Sequence, residues 1–295
     1  MTDASPIPLD PAAPPATADV LLRASPLPPL EARILLTHVL GWRRTQLITR
    51  GAEPLERASV ERYRALEARR MAGEPVAQLV GGREFFGLEF EVTPHVLIPR
   101  PETELLVETA LAAIETRPRP RVLDLGTGTG AIAVAIASMR PDAQVWALDR
   151  SADALAVAAR NGARLLDAKR PGGAVTFLHS DWYGSLDAAL RFDAIVSNPP
   201  YIASGDPHLA EGDLRFEPRG ALTDEADGLS AIRAIVAGAP ERLAVDGALW
   251  IEHGYDQAEA VRALLRAGGF AEVRSARDLA GIERISGGVL RAAAA

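Results

Sequence analysis

Cysteine is absent from this chain of 295 residues. Disulfide bonds, thiolate catalysis and metal sites with cysteine ligands are therefore excluded. Long hydrophobic runs are also missing, because a stretch such as Ala131 to Ser138 is far shorter than the roughly 20 apolar residues that a membrane span requires. The first four residues show neither the basic nor the apolar segment of an export signal. We therefore expect a soluble cytoplasmic protein without membrane association.

Positive charge is in deficit, with 32 Lys and Arg against 39 Asp and Glu and a net charge of −7. Such a chain has no overall basic field to hold a nucleic-acid backbone, so we expect no stable nucleic-acid binding. Residues 41–70 are a local exception, with eight arginines and four glutamates. That excess indicates either a solvated helix face or a docking surface for an acidic protein or RNA.

Composition and hydrophobic spacing divide the chain into four segments. Hydrophobic residues make up 48% and charged residues 24%, which is typical of a globular protein. Residues 1–18 are rich in Pro and Ala and are predicted to form a flexible leader. Apolar residues recur at helical spacing over 19–82 and predict a small helical domain. Residues 83–101 predict a hairpin linker that turns at Phe86-Gly87-Leu88, and residues 102–295 form the largest domain.

Strands and helices alternate after residue 120, which is typical of βαβ units on a parallel sheet. The helical patterns cover 130–140, 151–165, 227–240 and 255–268. The predicted strands are 121–125, 144–148, 175–179, 192–197 and 248–253, with two further strands near 272–275 and 283–290. Sheets of this kind bind ligands at the carboxyl ends of their strands, so functional residues are expected there.

The first predicted strand runs into a glycine-rich loop that opens a helix. Glycines let the backbone turn sharply and approach a ligand closely, and free N–H groups at a helix start favour anionic or polar groups. We therefore expect a nucleotide-type cofactor, although the glycines alone do not separate a nicotinamide cofactor from S-adenosylmethionine. The loop consists of Gly126, Thr127, Gly128, Thr129 and Gly130.

Two acidic residues stand beside this loop. Asp149 ends the second predicted strand, where a carboxylate can accept both ribose hydroxyls of either cofactor, or cap the following helix. Asp124 directly precedes the glycines. Its charge would repel a pyrophosphate but suits the methionine amino group, so Asp124 favours S-adenosylmethionine over a nicotinamide cofactor. The alternative for Asp124 is a loop or capping role.

Asn198, Pro199, Pro200 and Tyr201 follow the fourth predicted strand at once. Two prolines stiffen the chain and remove two N–H donors, so nearby carbonyls are free to accept other hydrogen bonds. We expect Asn198 Oδ1 and the Pro199 carbonyl to accept from a planar NH2 group, with its nitrogen facing a methyl sulfonium and Tyr201 stacked on it. The alternative is a proline-stiffened turn.

Together these residues resemble class I S-adenosylmethionine-dependent methyltransferases that methylate amino groups. The motif Ile98-Pro99-Arg100-Pro101-Glu102-Thr103-Glu104 narrows the resemblance to the release-factor glutamine methyltransferases, the PrmC/HemK family, over roughly residues 19 to 291. The resemblance implies an α/β, Rossmann-like, mostly parallel sheet of seven strands. A small N-terminal helical domain for substrate docking is joined to it by a β-hairpin.

The resemblance also implies an activity that requires no metal ion. A methyl group passes from S-adenosylmethionine to the side-chain amide nitrogen of the glutamine in the Gly-Gly-Gln loop of peptide chain release factors, which modulates translation termination. Residues 126–130 bind the cofactor. Asp149 binds its ribose, and Asp181 and Trp182 lie against its adenine. Residues 198–201 bind the glutamine of the substrate. Simple packing is the alternative for Trp182.

Three other residues of this pattern are interpreted as follows. Arg100 contacts the cofactor or the release-factor loop, or forms an ion pair with Glu102 or Glu104. Glu217 and His253 are interpreted as structural. Three other functions remain open on the residues alone: a base methyltransferase acting on nucleic acid, a nicotinamide oxidoreductase, and a cofactor-binding scaffold without catalysis.

Overall fold

The structure is a computed structural model that describes residues 16–292. The chain divides into two units between Val80 and Gly81. The predicted leader lies outside the described residues as far as residue 15, and so do residues 293–295. Each unit has its own hydrophobic core.

The first unit is helical. Thr17 Oγ1 accepts a hydrogen bond from the Val20 N–H at 3.3 Å and caps the first helix, so ordered structure begins within the predicted leader. Leu35, Leu36 and Tyr63, whose spacing predicts helices, are buried in its core. The helices are α1 Ala18–Ala24, α2 Pro29–Leu40, α3 Arg44–Arg50, α4 Arg57–Met71 and α5 Val76–Val80.

A β-hairpin opens the second unit, with strands β1 Gly82–Phe85 and β2 Leu88–Glu91. Phe86 and Gly87 both have positive φ, of 52° and 75°, as a two-residue type I′ turn requires. Phe85 is almost fully buried in the core that the hairpin shares with the sheet. The prediction of a hairpin turning at Phe86-Gly87-Leu88 is therefore confirmed.

The rest of the second unit is a seven-stranded sheet in the order β5-β4-β3-β6-β7-β9-β8. Strands β3 to β7 pair in parallel, whereas β9 runs antiparallel to both β7 and β8. This confirms the predicted mostly parallel α/β fold. The strands are β3 Arg121–Leu125, β4 Gln144–Asp149, β5 Thr176–His179, β6 Phe192–Ser197, β7 Leu243–Glu252, β8 Ala271–Arg277 and β9 Glu283–Val289.

Helices cover both faces of this sheet. Ala194 and Val196 of β6 belong to one buried cluster, and Ile195 between them belongs to the other, because side chains alternate along a strand. The helices are α6 Glu104–Ala113, α7 Ala131–Met139, α8 Ala152–Leu165, α9 Arg219–Leu222, α10 Ser230–Gly238 and α11 Ala258–Ala267. In the described part of the chain, none is long and apolar enough to cross a membrane.

Strand β7 begins five residues earlier than the sequence predicts, at Leu243 instead of Ala248. Asp246, at φ 59°, and Gly247 resemble a turn in the sequence, but the Asp246 N–H donates to the Leu290 carbonyl at 2.8 Å. Pairing of Leu243 with Phe192 of β6, and of Asp246 with the residue that follows β9, therefore overrides the local turn signal.

Candidate active site

A cavity of about 300 Å³ lies at the carboxyl ends of β3, β4 and β6, within the second unit. The structure brings nine of the predicted site residues to its wall. They are Gly126, Thr127, Gly128, Thr129, Asp149, Asp181, Trp182, Asn198 and Pro200. Four others do not line it: Asp124, Gly130, Pro199 and Tyr201. The predicted position, where parallel strands end, is therefore where the cavity lies.

The glycine loop follows β3 and is tied to the end of β4. The N–H groups of Gly126 and Thr127 both donate to the Leu148 carbonyl, at 2.8 and 2.9 Å. Gly130 has φ 80°, and a Cβ at this position would lie 3.1 Å from the Ala158 Cβ of α8. A glycine is needed there both for the left-handed backbone and for the close packing of the start of α7 on α8.

Asp149 connects this loop to the next helix. Its Oδ2 accepts from the Gly128 N–H and its Oδ1 from the Ser151 N–H, both at 2.9 Å. Ser151, and not Asp149, caps α8, since its side chain accepts from the Ala154 N–H. The Asp149 carboxylate is thus fixed at the cavity wall, and each oxygen keeps capacity for a further donor.

Asp124 is fully buried behind the loop. Its Oδ2 accepts from the Thr127 hydroxyl at 2.6 Å, while within residues 16–292 its Oδ1 has no hydrogen-bond partner. Burial raises the pKa of Asp124 to about 7, although the Thr127 hydroxyl and the Ala133 N–H act in the opposite direction. An unpaired buried acceptor of this kind suits a cationic group. Thr127, which Asp124 holds, does line the cavity.

Asp181 and Trp182 follow β5 and lie on the cavity wall. The Ser180 hydroxyl donates to the Trp182 carbonyl at 2.8 Å and accepts from the Ser185 N–H at 3.0 Å. These bonds hold Trp182 at φ 46°, a conformation that residues other than glycine rarely adopt. Trp182 carbon Cζ3 lies 3.9 Å from where a Cβ on Gly126 would be, so the indole borders the glycine loop.

Asn198 directly follows β6, and a hydrogen bond orients its side-chain amide. Its Nδ2 donates to the Thr103 hydroxyl at 3.2 Å, and no residue of the described chain donates to its Oδ1. Asn198 Oδ1 is therefore available to accept a hydrogen bond from the NH2 group of a substrate. Tyr201 is held differently: its carbonyl accepts from Gln257 Nε2 at 3.0 Å, and its ring packs with the core. Burial raises the pKa of Tyr201 above its ordinary value.

Arg100 pairs with Glu217, so the predicted ion pair with Glu102 or Glu104 is wrong. Glu217 is buried and also accepts from the Ile98 N–H at 2.8 Å. Glu104 instead accepts from the Phe86 N–H. Sequence spacing favours near neighbours, whereas Glu217 lies 117 residues away and only the fold brings it close. The interpretation of Glu217 as structural agrees with these contacts.

Glu252, at the end of β7, belongs to the stretch Glu252-His253-Gly254 that fits the family pattern, but the sequence analysis gave it no role. It is only 2% exposed, and within the described residues its Oε2 has no hydrogen-bond partner. Burial raises the pKa of Glu252 to about 7, while the nearby Thr103 and Tyr201 hydroxyls act in the opposite direction. Its position at the carboxyl end of a central strand was a signal, but nothing in the sequence reveals its burial. Its neighbour His253 points to Ser286, at 2.8 Å, and is structural as expected.

The strand order, the glycine loop and the acid at the end of β4 are those of a methyltransferase. Residues 101–211 match the model of the methyltransferase small domain, and residues 16–81 match that of the PrmC N-terminal domain. A methyltransferase structure from Pyrococcus furiosus has the same fold, with a TM-score of 0.51, 18% identity, and coverage of 77% of this chain and 98% of that one. Members of this class use S-adenosylmethionine.

Curated relatives specify the family. The release factor glutamine methyltransferase of Burkholderia pseudomallei is 71% identical over 94% of this chain and 97% of its own length. That of Bordetella pertussis is 60% identical over 92% and 98%, and that of Escherichia coli 45% over 90% and 93%. The chain belongs to the release factor glutamine methyltransferase family.

Proposed function

We propose that this chain methylates the side-chain amide nitrogen of a glutamine in peptide chain release factors, within their Gly-Gly-Gln motif. The observation that carries the proposal is the oriented amide of Asn198. Its Nδ2 is bound by Thr103, so its Oδ1 is the free acceptor at the wall of the cavity. An amide substrate offers the NH2 donor that this acceptor requires.

S-adenosylmethionine supplies the methyl group, already activated on a sulfonium sulfur. The residues of this chain would hold it along the cavity wall. Asp149 can accept from the ribose hydroxyls, Asp181 from the adenine amine, and Trp182 offers an aromatic face beside the loop. The Thr127 hydroxyl and the buried charge of Asp124 favour the cationic amino group.

Catalysis by this site is chiefly positioning. Asn198 Oδ1, at the cavity wall, accepts an N–H group of the glutamine amide, which fixes the direction of its nitrogen. The nitrogen forms a bond to the methyl carbon, the carbon–sulfur bond breaks with its electrons on sulfur, and the displaced proton leaves to water. Orientation of this kind supplies roughly 7–11 kcal/mol, so no metal ion is required.

The proposed partners follow from this reaction. Release factors act on ribosomes, so we place the reaction in the cytoplasm. We assign docking of the release factor to the helical segment 19–82, whose exposed Arg44 and Arg64 form no ion pair within the described chain. Charge reversal of both residues should raise KM for the release factor and leave cofactor affinity unchanged; unchanged KM would reject this docking role.

The test of the function is methyl transfer from labelled S-adenosylmethionine to a purified release factor. The matched control is the same factor with its Gly-Gly-Gln glutamine replaced by alanine. We expect label on the first and none on the second. Label that persists on the alanine factor, or that appears only on added nucleic acid, would overturn the proposal in favour of another acceptor.

A further inference from the structure

Thr103 links Asn198 to the interior of the protein. It ends a 3₁₀ turn, Pro101–Thr103, that leads into α6, and it is 5% exposed. Its hydroxyl oxygen accepts from Asn198 Nδ2 at 3.2 Å. A threonine hydroxyl has one proton of its own, which must be donated to another acceptor when the oxygen is used in this way. The identity of that acceptor decides whether the Asn198 amide has one orientation or two.

The Glu252 carboxylate is the acceptor that lies nearby. Strands β6 and β7 run in parallel with Ser197 opposite Ile251, so the next residues along, Asn198 and Glu252, emerge at the same end of the sheet. Glu252 is 2% exposed, and within the described residues its Oε2 has no hydrogen-bond partner. The Thr103 hydroxyl lies close enough to this carboxylate to lower its pKa. Thr103 therefore stands between a buried carboxylate oxygen that lacks a donor and the Asn198 amide.

We infer that Glu252 is a positioning residue for methyl transfer: its carboxylate takes the Thr103 hydroxyl proton, so that Thr103 accepts from Asn198 and Asn198 presents its carbonyl oxygen to the substrate amide. This inference rests on the function proposed above. Glu252 does not line the cavity, so it acts only through Thr103 and Asn198. The Tyr201 hydroxyl also lies close enough to this carboxylate to lower its pKa.

Protonated Glu252 would no longer fix the orientation of the Asn198 amide. A carboxylic acid can donate to Thr103, whose hydroxyl can then donate to the Asn198 oxygen, and the amide turns its NH2 group to the substrate. Two NH2 groups cannot form a hydrogen bond with each other, so that state is inactive. Burial, and the negative charge of Glu102, raise the pKa of Glu252 to about 7, while Arg284 and the two hydroxyls lower it. The change in the protonation of Glu252, and with it the change in the orientation of the Asn198 amide, therefore occurs near neutral pH.

Removal of the Thr103 hydroxyl is the first test. In Thr103→Val the shape is kept and the link is lost, so kcat on the release factor should fall about tenfold, the effect of one lost hydrogen bond to a charged network. The KM for S-adenosylmethionine should not change. Thr103→Ser restores the hydroxyl and should recover most of kcat. Tyr183→Phe is the matched control, because it deletes a hydroxyl that only donates to the Ile235 carbonyl in the core.

The pH dependence of kcat is the second test, at saturating cofactor and release factor. For the wild type we expect kcat to fall about tenfold from pH 8 to pH 6, as a group with a pKa near 7 takes up its proton. Glu252→Gln should abolish this decline because its amide does not titrate there. Asp193→Asn is the control, since Asp193 sits at the opposite end of the sheet, against Arg117. It should keep the wild-type profile.

The outcomes separate this inference from the proposed function. Absence of transfer by the wild type would reject the function itself. Transfer by the wild type together with unchanged kcat in Thr103→Val, or with the same pH profile in Glu252→Gln, would reject the role of Glu252 and leave the function intact. If the kcat of the wild type does not change between pH 8 and pH 6, the role of Glu252 is also rejected. This result does not depend on whether either variant folds.

Discussion

The backbone N–H of Gly128 donates to Asp149 Oδ2 at 2.9 Å, which makes the glycine loop after β3 and the acid at the end of β4 one structural unit. Asp149 has therefore two tasks: it fixes the loop, and it presents its remaining lone pairs at the cavity. A substitution here should disturb cofactor binding more than any later step.

Asp149→Ala should weaken S-adenosylmethionine binding at least tenfold, since it removes acceptors for the ribose and releases the loop. Isothermal calorimetry measures this directly. Asp142→Ala is the control because Asp142 precedes β4 at the opposite end of the strand, where it pairs with Arg140. Wild-type affinity in Asp149→Ala would contradict the ribose role.

Asn198→Ala should lower kcat on the release factor about a hundredfold or more, while the Kd for S-adenosylmethionine changes less than threefold. The physical reason is that Asn198 Oδ1 orients the substrate nitrogen, an effect made only at the reacting centre. Steady-state kinetics with calorimetry checks both quantities. If kcat is unchanged, the amide clamp is wrong.

Gly130→Ala should lower the free energy of unfolding by about 2 kcal/mol, from a positive φ and from contact with Ala158. Gly173→Ala is a matched control: Gly173 has φ 79°, against 80° at Gly130, but nothing lies within 4 Å of its Cβ position. Gly173→Ala should lower the free energy of unfolding by about 1 kcal/mol, from backbone strain alone. Equal losses in urea denaturation would show that the close approach to α8 has no energetic consequence.

Arg100→Met should destabilise the protein by about 1–3 kcal/mol at pH 8, because it leaves the Glu217 carboxylate buried without its partner. Burial raises the pKa of Glu217 above its ordinary value. Without Arg100 this carboxyl takes up a proton more readily, so the loss should be smaller at pH 5. The double variant Arg100→Met/Glu217→Gln should recover part of the stability at pH 8. Additive losses in the double-mutant cycle would reject the coupling.

Two buried acids should make the protein less stable as the pH rises towards 7. Asp124 and Glu252 have pKa values of about 7 when folded, against 3.8 and 4.5 as reference values. Between about pH 4.5 and 7 the folded state binds more protons than the unfolded state, so the free energy of unfolding falls as pH rises. The shift is equivalent to about 4 kcal/mol for Asp124 and about 3 kcal/mol for Glu252.

Glu252→Gln should remove its share of this dependence. Its free energy of unfolding should therefore increase relative to the wild type between pH 5 and pH 8. Urea denaturation at pH 5, 6, 7 and 8 measures the difference. Parallel curves for the variant and the wild type would show that Glu252 ionises in the folded protein as readily as in the unfolded chain.

Local signals were enough to predict the parts of the site that are adjacent in sequence. The apolar strand, three glycines and a helix start lie within residues 121–131, and the resulting loop conformation is a property of those residues. Asp149 was identifiable because it ends the next strand. Asn198 and Pro200, which line the cavity, were identifiable because two prolines after a strand have few alternatives, whereas Pro199 and Tyr201 do not line it. In each case the chemistry and the turn are encoded side by side.

Long-range pairings were not predictable in the same way. Glu217 reaches Arg100 from 117 residues away, and Thr103 reaches Asn198 from 95. Many acids in this sequence are possible partners for Arg100, and spacing favours the nearest. The early start of β7 has a similar cause, since its Asp246-Gly247 step looks like a turn until the Leu290 carbonyl pairs with it.

The sequence by itself determined the fold class, the glycine loop, its acidic partner and the Asn-Pro-Pro-Tyr motif, because strand periodicity, glycine and proline act on the backbone locally. The tertiary structure alone decided that Asp124 lies behind the cavity wall, that Tyr201 packs in the core and that Glu252 is buried beside Thr103. Burial, orientation and the resulting pKa depend on which strands become neighbours. That is a property of the folded chain and of no single segment.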